Sequence, residues 1–176
     1  MQGEQAAPLP TAMTASMTGA GLAWPVKSSF AQYVGGLVDG WIELAGPAMS
    51  SMEYGPIFRL LDDTKFDRTT MAGTLGFGGA IRFQGHFGLL RLVIADPWLA
   101  IEGSQGLLSV ATGLPGRMNI ATCQIAWDAQ KRIGHGTDLA LMPAAVELFG
   151  GAYQAGTSLD PFLVQLGDPA PDDSDC

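Results

Sequence analysis

Short apolar runs broken by glycine and proline dominate this chain: 24 glycines and 11 prolines fall among 176 residues that are 47% hydrophobic and only 15% charged. Glycine and proline are poor inside helices and natural at turns, so punctuation this dense opposes a helical bundle and favours many short strands. The length suits one domain with a substantial core and is short for two.

In chain order, residues 1–21 are rich in Ala, Thr, Met, Pro and Gly without a period, which predicts a flexible N-terminal arm ahead of a single domain over 22–166. Residues 24–33, WPVKSSFAQY, predict a first short helix. Proline is tolerated in a first turn, Val26, Phe30, Tyr33, Val34 and Leu37 keep the spacing of one apolar face, and Gly35 and Gly36 stop it. Strand candidates follow at 41–44, 54–61, 71–77, 80–83 and 89–94. Residues 62–68 read as a charged connection, and Asp96-Pro97 as the turn that closes the 89–94 strand. Residues 98–102 and 106–110 predict a hairpin, and 118–127 and 131–134 two more strands. A second short helix is expected over 143–149, then a loop and a last strand up to 166. The tail 167–176, with four aspartates and two prolines, predicts acidic disorder. The sum is about nine or ten strands and two short helices, hence an all-β fold: an antiparallel β-sandwich or a barrel-like sandwich.

Composition narrows function. A net charge of −8 argues against nucleic acid or an anionic membrane surface as partner. The two cysteines, Cys123 and Cys176, supply no disulfide framework, no CxxC metal site and no CxxCH for covalent haem attachment. No run of about 18 apolar residues predicts a spanning helix. The first 21 residues carry Glu4, no lysine or arginine and no continuous apolar core, unlike a secretory leader. The expected location is cytoplasmic as the sequence stands, and extracellular or cell-surface if a leader has been removed. No GxSxG elbow surrounds Ser28 or Ser29, and no phosphate-binding glycine loop follows a strand.

The candidate site is a small set of polar groups. Ser29 and Tyr33, four residues apart on the first helix, put both oxygens on one side of it. Tyr33 reads either as a core tyrosine bonded to a backbone carbonyl or as a functional phenol. His86, in the tight segment GHFG, reads either as a turn residue satisfied by backbone or as the partner of that phenol. His135, in IGHGTD, is expected on an exposed loop, Met13 and Met17 on the arm, and the scattered methionines Met49, Met52, Met71, Met118 and Met142 in core gaps.

Three blocks in order, LAWPVKSSFAQYVGG (22–36), IRFQGHFGLLRLVIADPWLAIEGSQGLLSV (81–110) and LMPAAVELFGGAYQAGTSLDPF (141–162), resemble the HtaA domain, the haem-transport-associated module of actinobacterial haem-uptake proteins. The resemblance implies a β-sandwich with short helices that holds one ferric haem b non-covalently through a tyrosinate. It places the iron ligand at Tyr33, a histidine bonded to the phenol oxygen at His86, and a serine near the haem at Ser29. A tyrosine axial ligand suits ferric iron, a hard cation that favours the phenolate of a group whose ordinary pKa is about 10.

Haem binding for transfer, carriage or storage is therefore the leading expectation, with a haem donor or acceptor protein as partner. The alternative is an enzyme on the same scaffold. It would perform haem-dependent oxidation, or act without haem as a cyclase or isomerase on an apolar small molecule with Tyr33 and His86 as acid and base. A third reading is a sandwich that binds an apolar ligand or partner without chemistry.

Overall fold

A computed structural model describes residues 19–112, 116–128, 130 and 132–168. Most of the arm expected over 1–21, and the tail from residue 169 on, lie outside the described residues. The strands are β1 (Gly21–Ala23), β2 (Trp41–Ala45), β3 (Met49–Ser51), β4 (Gly55–Asp67), β5 (Ala72–Gly78), β6 (Ala80–Gly85), β7 (Leu90–Glu102), β8 (Gln105–Ala111), β9 (Arg117–Asp128), β10 (Ile133–Leu141) and β11 (Phe162–Gln165), with one helix, α1 (Ser28–Gly35). All pairings between them are antiparallel, in the order β2-β6-β7-β5-β4-β1-β11-β10-β9-β8, and β8 returns to pair with β7. That last pairing closes eight strands into a barrel. Strands β2 and β6 extend from it as a leaf, and β3 adds to β4. The all-β expectation holds, and of its two forms the barrel is the one present.

Strand β7 shows how the leaf arises. Its first half pairs with β6 (Ala80–Gly85 against Leu90–Ala95), and its second half pairs with β5 through Trp98 to Ile101. The change falls at Asp96-Pro97, which the sequence marks as a strand-ending turn. It is instead a bulge inside one continuous strand: Asp96 sits at φ +45, and the β7–β8 register shifts between Ala95 and Trp98. Proline lacks a ladder donor and fits where pairing is interrupted. Asp96 then fastens the corner, its amide donating to the Gly79 carbonyl (2.8 Å) and its carboxylate accepting the Gly79 amide (3.0 Å).

Other boundaries move for equally local reasons. Residues 62–67, expected as a connection, continue β4 through two register shifts, with the Asp62 carboxylate accepting the Thr64 amide. His135, expected on a loop, lies exposed in β10. Its neighbours Gly134 and Gly136 look like turn residues, but a Cβ on Gly134 would meet the Trp127 ring at 2.9 Å and one on Gly136 the Phe162 ring at 2.2 Å. Those glycines are strand positions roofed by aromatic rings. The second helical segment appears as two 3-10 turns, Pro143–Ala145 and Glu147–Phe149, because proline and the left-handed Gly150 leave a stretch too short for a cooperative α-helix.

The core fills the barrel with Leu22, Trp24, Phe58, Leu75, Leu99, Leu108 and Ile120, all fully buried. Each such apolar side chain contributes about 1.5–3 kcal/mol. The ion pairs Arg68–Asp63 and Arg82–Glu43 are part-exposed and belong to a class worth about 0–1 kcal/mol, so burial decides the stability. Cys123 is part of that core, and burial pushes its thiol up to about 11. In the native protein near neutral pH, Cys123 is expected to resist iodoacetamide and to be alkylated only after unfolding in urea, as read by peptide mass spectrometry. Gly136→Ala should destabilise the barrel by about 1–3 kcal/mol in a urea titration, because Phe162 must leave its place over the strand.

Candidate functional site

Helix α1 is short, and it depends on a distant residue for its start. Lys27 at the N-cap makes no side-chain cap bond. The Asp160 carboxylate, just before β11, instead accepts the Ser28 amide at 2.9 Å and the Ser28 hydroxyl. The same loop is tied twice more, by Trp24 Nε1 to the Asp160 carbonyl (3.0 Å) and by Lys27 Nζ to the Ser158 carbonyl (3.0 Å). Helical spacing then buries Phe30 and Val34, whereas Val26, expected inside the helix, precedes it at φ +65 and is buried outside it, so the helix begins at Ser28 rather than at Trp24. The Phe30 ring meets Phe83 of β6 edge-on at 5.1 Å and Phe149 at 5.8 Å.

Tyr33 does not join that buried face. It is 49% exposed, and its phenol oxygen lies 2.5 Å from His86 Nε2. The core-tyrosine alternative therefore gives way to a phenol at a cavity mouth whose hydroxyl is held by an imidazole.

His86 reaches Tyr33 from an unusual turn. Between β6 and β7 the chain passes through His86 (φ +50), Phe87 (φ +55) and Gly88 (φ +87). Two successive side-chain-bearing residues in the left-handed region cost about 1–2 kcal/mol each. The Asp39 carboxylate offsets this by accepting the amides of His86 (3.2 Å) and Phe87, and the Leu89 amide closes the turn on the His86 carbonyl (3.1 Å). Asp39 lies four residues beyond the end of α1, on a chain that doubles back so tightly that a Cβ on Gly40 would sit 1.7 Å from the Val34 carbonyl.

Between α1, the start of β7 and the Glu147–Phe149 turn opens a cavity of about 800 Å³. That lies in the upper part of the range for small-molecule and cofactor sites. Phe30, Leu90, Phe149 and Tyr153 form apolar and aromatic walls, Tyr33 and His86 stand at one side, and Arg91 and Glu147 are the charged lining residues. Ser29 is exposed one turn before Tyr33 and is not among the lining residues; His135, on β10, is not either. Among the described residues no three His, Cys, Asp or Glu side chains gather into a metal cluster; the lining side chains with oxygen or nitrogen donors include Tyr33, His86, Glu147 and Tyr153, of which Tyr33 and His86 are in direct contact.

Sequence reasoning passed over Asp39, Asp160 and Phe149. Asp39-Gly40 and Asp160-Pro161 carry ordinary turn signals, which say nothing about which amides those carboxylates will meet. Replacing Asp160 with Ala removes the cap of α1. A loss of about 1 kcal/mol is expected in chemical denaturation, with faster amide exchange across Ser28 to Ala31.

The HtaA family model, described as Htaa, matches residues 19–165. No curated protein sequence matches the chain. Among solved structures, the C-terminal domain of HtaA from Corynebacterium glutamicum is similar at 26% identity and a TM-score of 0.68, over 84% of this chain and 96% of that one. The N-terminal domain of the same protein is similar in fold at 23% identity and a TM-score of 0.67, over 85% and 99%. The heme binding protein HtaB from Corynebacterium glutamicum shares the fold at 18% identity and a TM-score of 0.63, over 83% and 90%. No helix of the described residues is long and apolar enough to cross a membrane. With the family match spanning nearly the whole barrel and both site residues, the chain belongs to the HtaA family.

Proposed function

We propose that this protein binds one ferric haem b non-covalently, with the Tyr33 phenolate as axial ligand and His86 donating from Nε2 to the phenolate oxygen. The observation that carries this reading is the Tyr33–His86 contact of 2.5 Å at the mouth of an aromatic-walled cavity of about 800 Å³. Membership of the HtaA family and the fold shared with a heme binding protein support it.

The residues present fit such a group. Phe30, Phe149 and Tyr153 offer ring faces and edges to a flat apolar macrocycle, and Tyr33 offers a hard oxygen donor. Haem supplies a ferric iron that prefers the phenolate, so a proton and iron compete for one oxygen. His86 works on either side of that competition: its Nε2 accepts from the phenol, and as Nε2–H it donates to the phenolate and orients it. Cys123 is buried in the barrel and is not among the residues that line the cavity.

The role that follows is carriage, storage or transfer of haem. Phe87 and Leu89 are 90% and 91% exposed beside the His86 turn, and they give a donor or acceptor protein an apolar surface at the cavity mouth. The same short phenol–imidazole contact would also serve acid–base chemistry on an apolar substrate, and haem titration separates the two readings.

Purified protein titrated with ferric haem should saturate at one equivalent and show the absorption of a tyrosinate-ligated ferric centre. Tyr33→Phe should lose that signature, and His86→Ala should keep it with roughly 10- to 100-fold weaker binding. No saturable binding by the wild-type protein would defeat the haem reading and leave the acid–base pair as the function to pursue.

A further inference from the structure

We infer that Asp39 is the positioning residue of this site: its carboxylate holds the left-handed His86–Phe87 turn and thereby sets the imidazole against Tyr33. The inference rests on the reading of Tyr33 and His86 as the working pair, and it concerns how the apoprotein holds them.

Burial does not hold the turn, since Phe87 projects almost wholly into solvent and none of His86, Phe87 and Gly88 is buried. What remains is hydrogen bonding: the Leu89 amide to the His86 carbonyl, and the two amides taken by Asp39. Those two amides belong to the two side-chain-bearing residues in the left-handed region. Each Asp39 oxygen takes one of them, so a single carboxylate satisfies both donors. Without it, His86 and Phe87 are free to return to ordinary backbone angles, and the imidazole swings off the phenol.

Asp39 also carries information from the helix. Tyr33 and Asp39 are six residues apart on one segment, and the close approach of Gly40 to the Val34 carbonyl fixes the loop against the end of α1. The side chain of Leu37 lies over Gly85, where a Cβ would meet Leu37 Cδ1 at 2.5 Å, so the same loop packs onto the strand that leads into His86. One short stretch thus presents the phenol and also places its partner.

The test uses the full chain, with Asp39→Asn, Asp39→Ala, Tyr33→Phe and His86→Ala. In the apoprotein, ring nitrogen shifts of His86 read the contact with Tyr33, and Tyr33→Phe supplies the reference for its loss. Asp39→Ala should move the His86 ring signals to that reference. Asp39→Asn, which keeps the shape but turns an NH2 toward one amide, should move them part of the way. With ferric haem, Asp39→Ala should weaken binding roughly tenfold in the wild-type background and have no further effect in His86→Ala, since it acts through His86. Unchanged ring signals in both Asp39 variants, or an equal loss of affinity in both backgrounds, would overturn the inference. If the wild-type protein takes up no haem, the ring signals alone decide it, and the haem reading fails separately.

Discussion

Strand β7 has to satisfy its backbone against three neighbours, β6, β5 and β8, and the rest of the molecule follows from how it does so. A barrel alone would pair β7 with β5 and β8 along its length and leave no free edge. Here the bulge at Asp96-Pro97 hands the first half of β7 to β6, so the wall splits and a two-stranded leaf emerges. The cavity exists because that leaf leaves the barrel. Helix α1 packs on the leaf through Phe30 and Phe83, while the Glu147–Phe149 turn closes the opposite wall.

Energy is distributed unevenly over this arrangement. The closed barrel contains the large buried side chains, each contributing on the order of 2 kcal/mol, and its strands hold one another through antiparallel ladders interrupted by bulges. The site lies on its least secured parts: a helix of eight residues without its own cap, a left-handed turn, and an edge leaf ending in β2. Carboxylates substitute for packing there, Asp160 at the helix start and Asp39 at the turn. The walls of such a site can shift without opening the barrel.

The polar groups at the cavity are few and are held from the backbone side. Tyr33 is half exposed, so its phenol oxygen is open to water as well as to His86. His86 has its backbone fixed by Asp39, leaving the ring to serve Tyr33. The negative net charge of the chain does not oppose ligand entry locally, since Arg91 and Glu147 face the cavity as one charge of each sign.

The sequence by itself determined the strand-rich class, the family blocks, a short helix within the first block and the candidacy of Tyr33 and His86, because period, turn chemistry and motif spacing are local properties; it placed the start of that helix at Trp24 instead of Ser28. It misread Asp96-Pro97 as an end, 62–67 as a connection and His135 as a loop residue. Each of these depends on what lies across the sheet: a change of partner strand, a pair of register shifts, and aromatic rings over Gly134 and Gly136. Ser29 and Tyr33 share a helix side in sequence, yet Tyr33 lines the cavity while Ser29 faces solvent outside its lining, a difference of one turn that only the docking of α1 sets. The closure of the barrel through β7 and β8, and the use of Asp39 and Asp160 as distant caps, were decided by tertiary structure alone. A carboxylate in a turn is an acceptor in any sequence, and which amide it meets depends on contacts across the fold, here 47 residues away for Asp39 and 132 for Asp160.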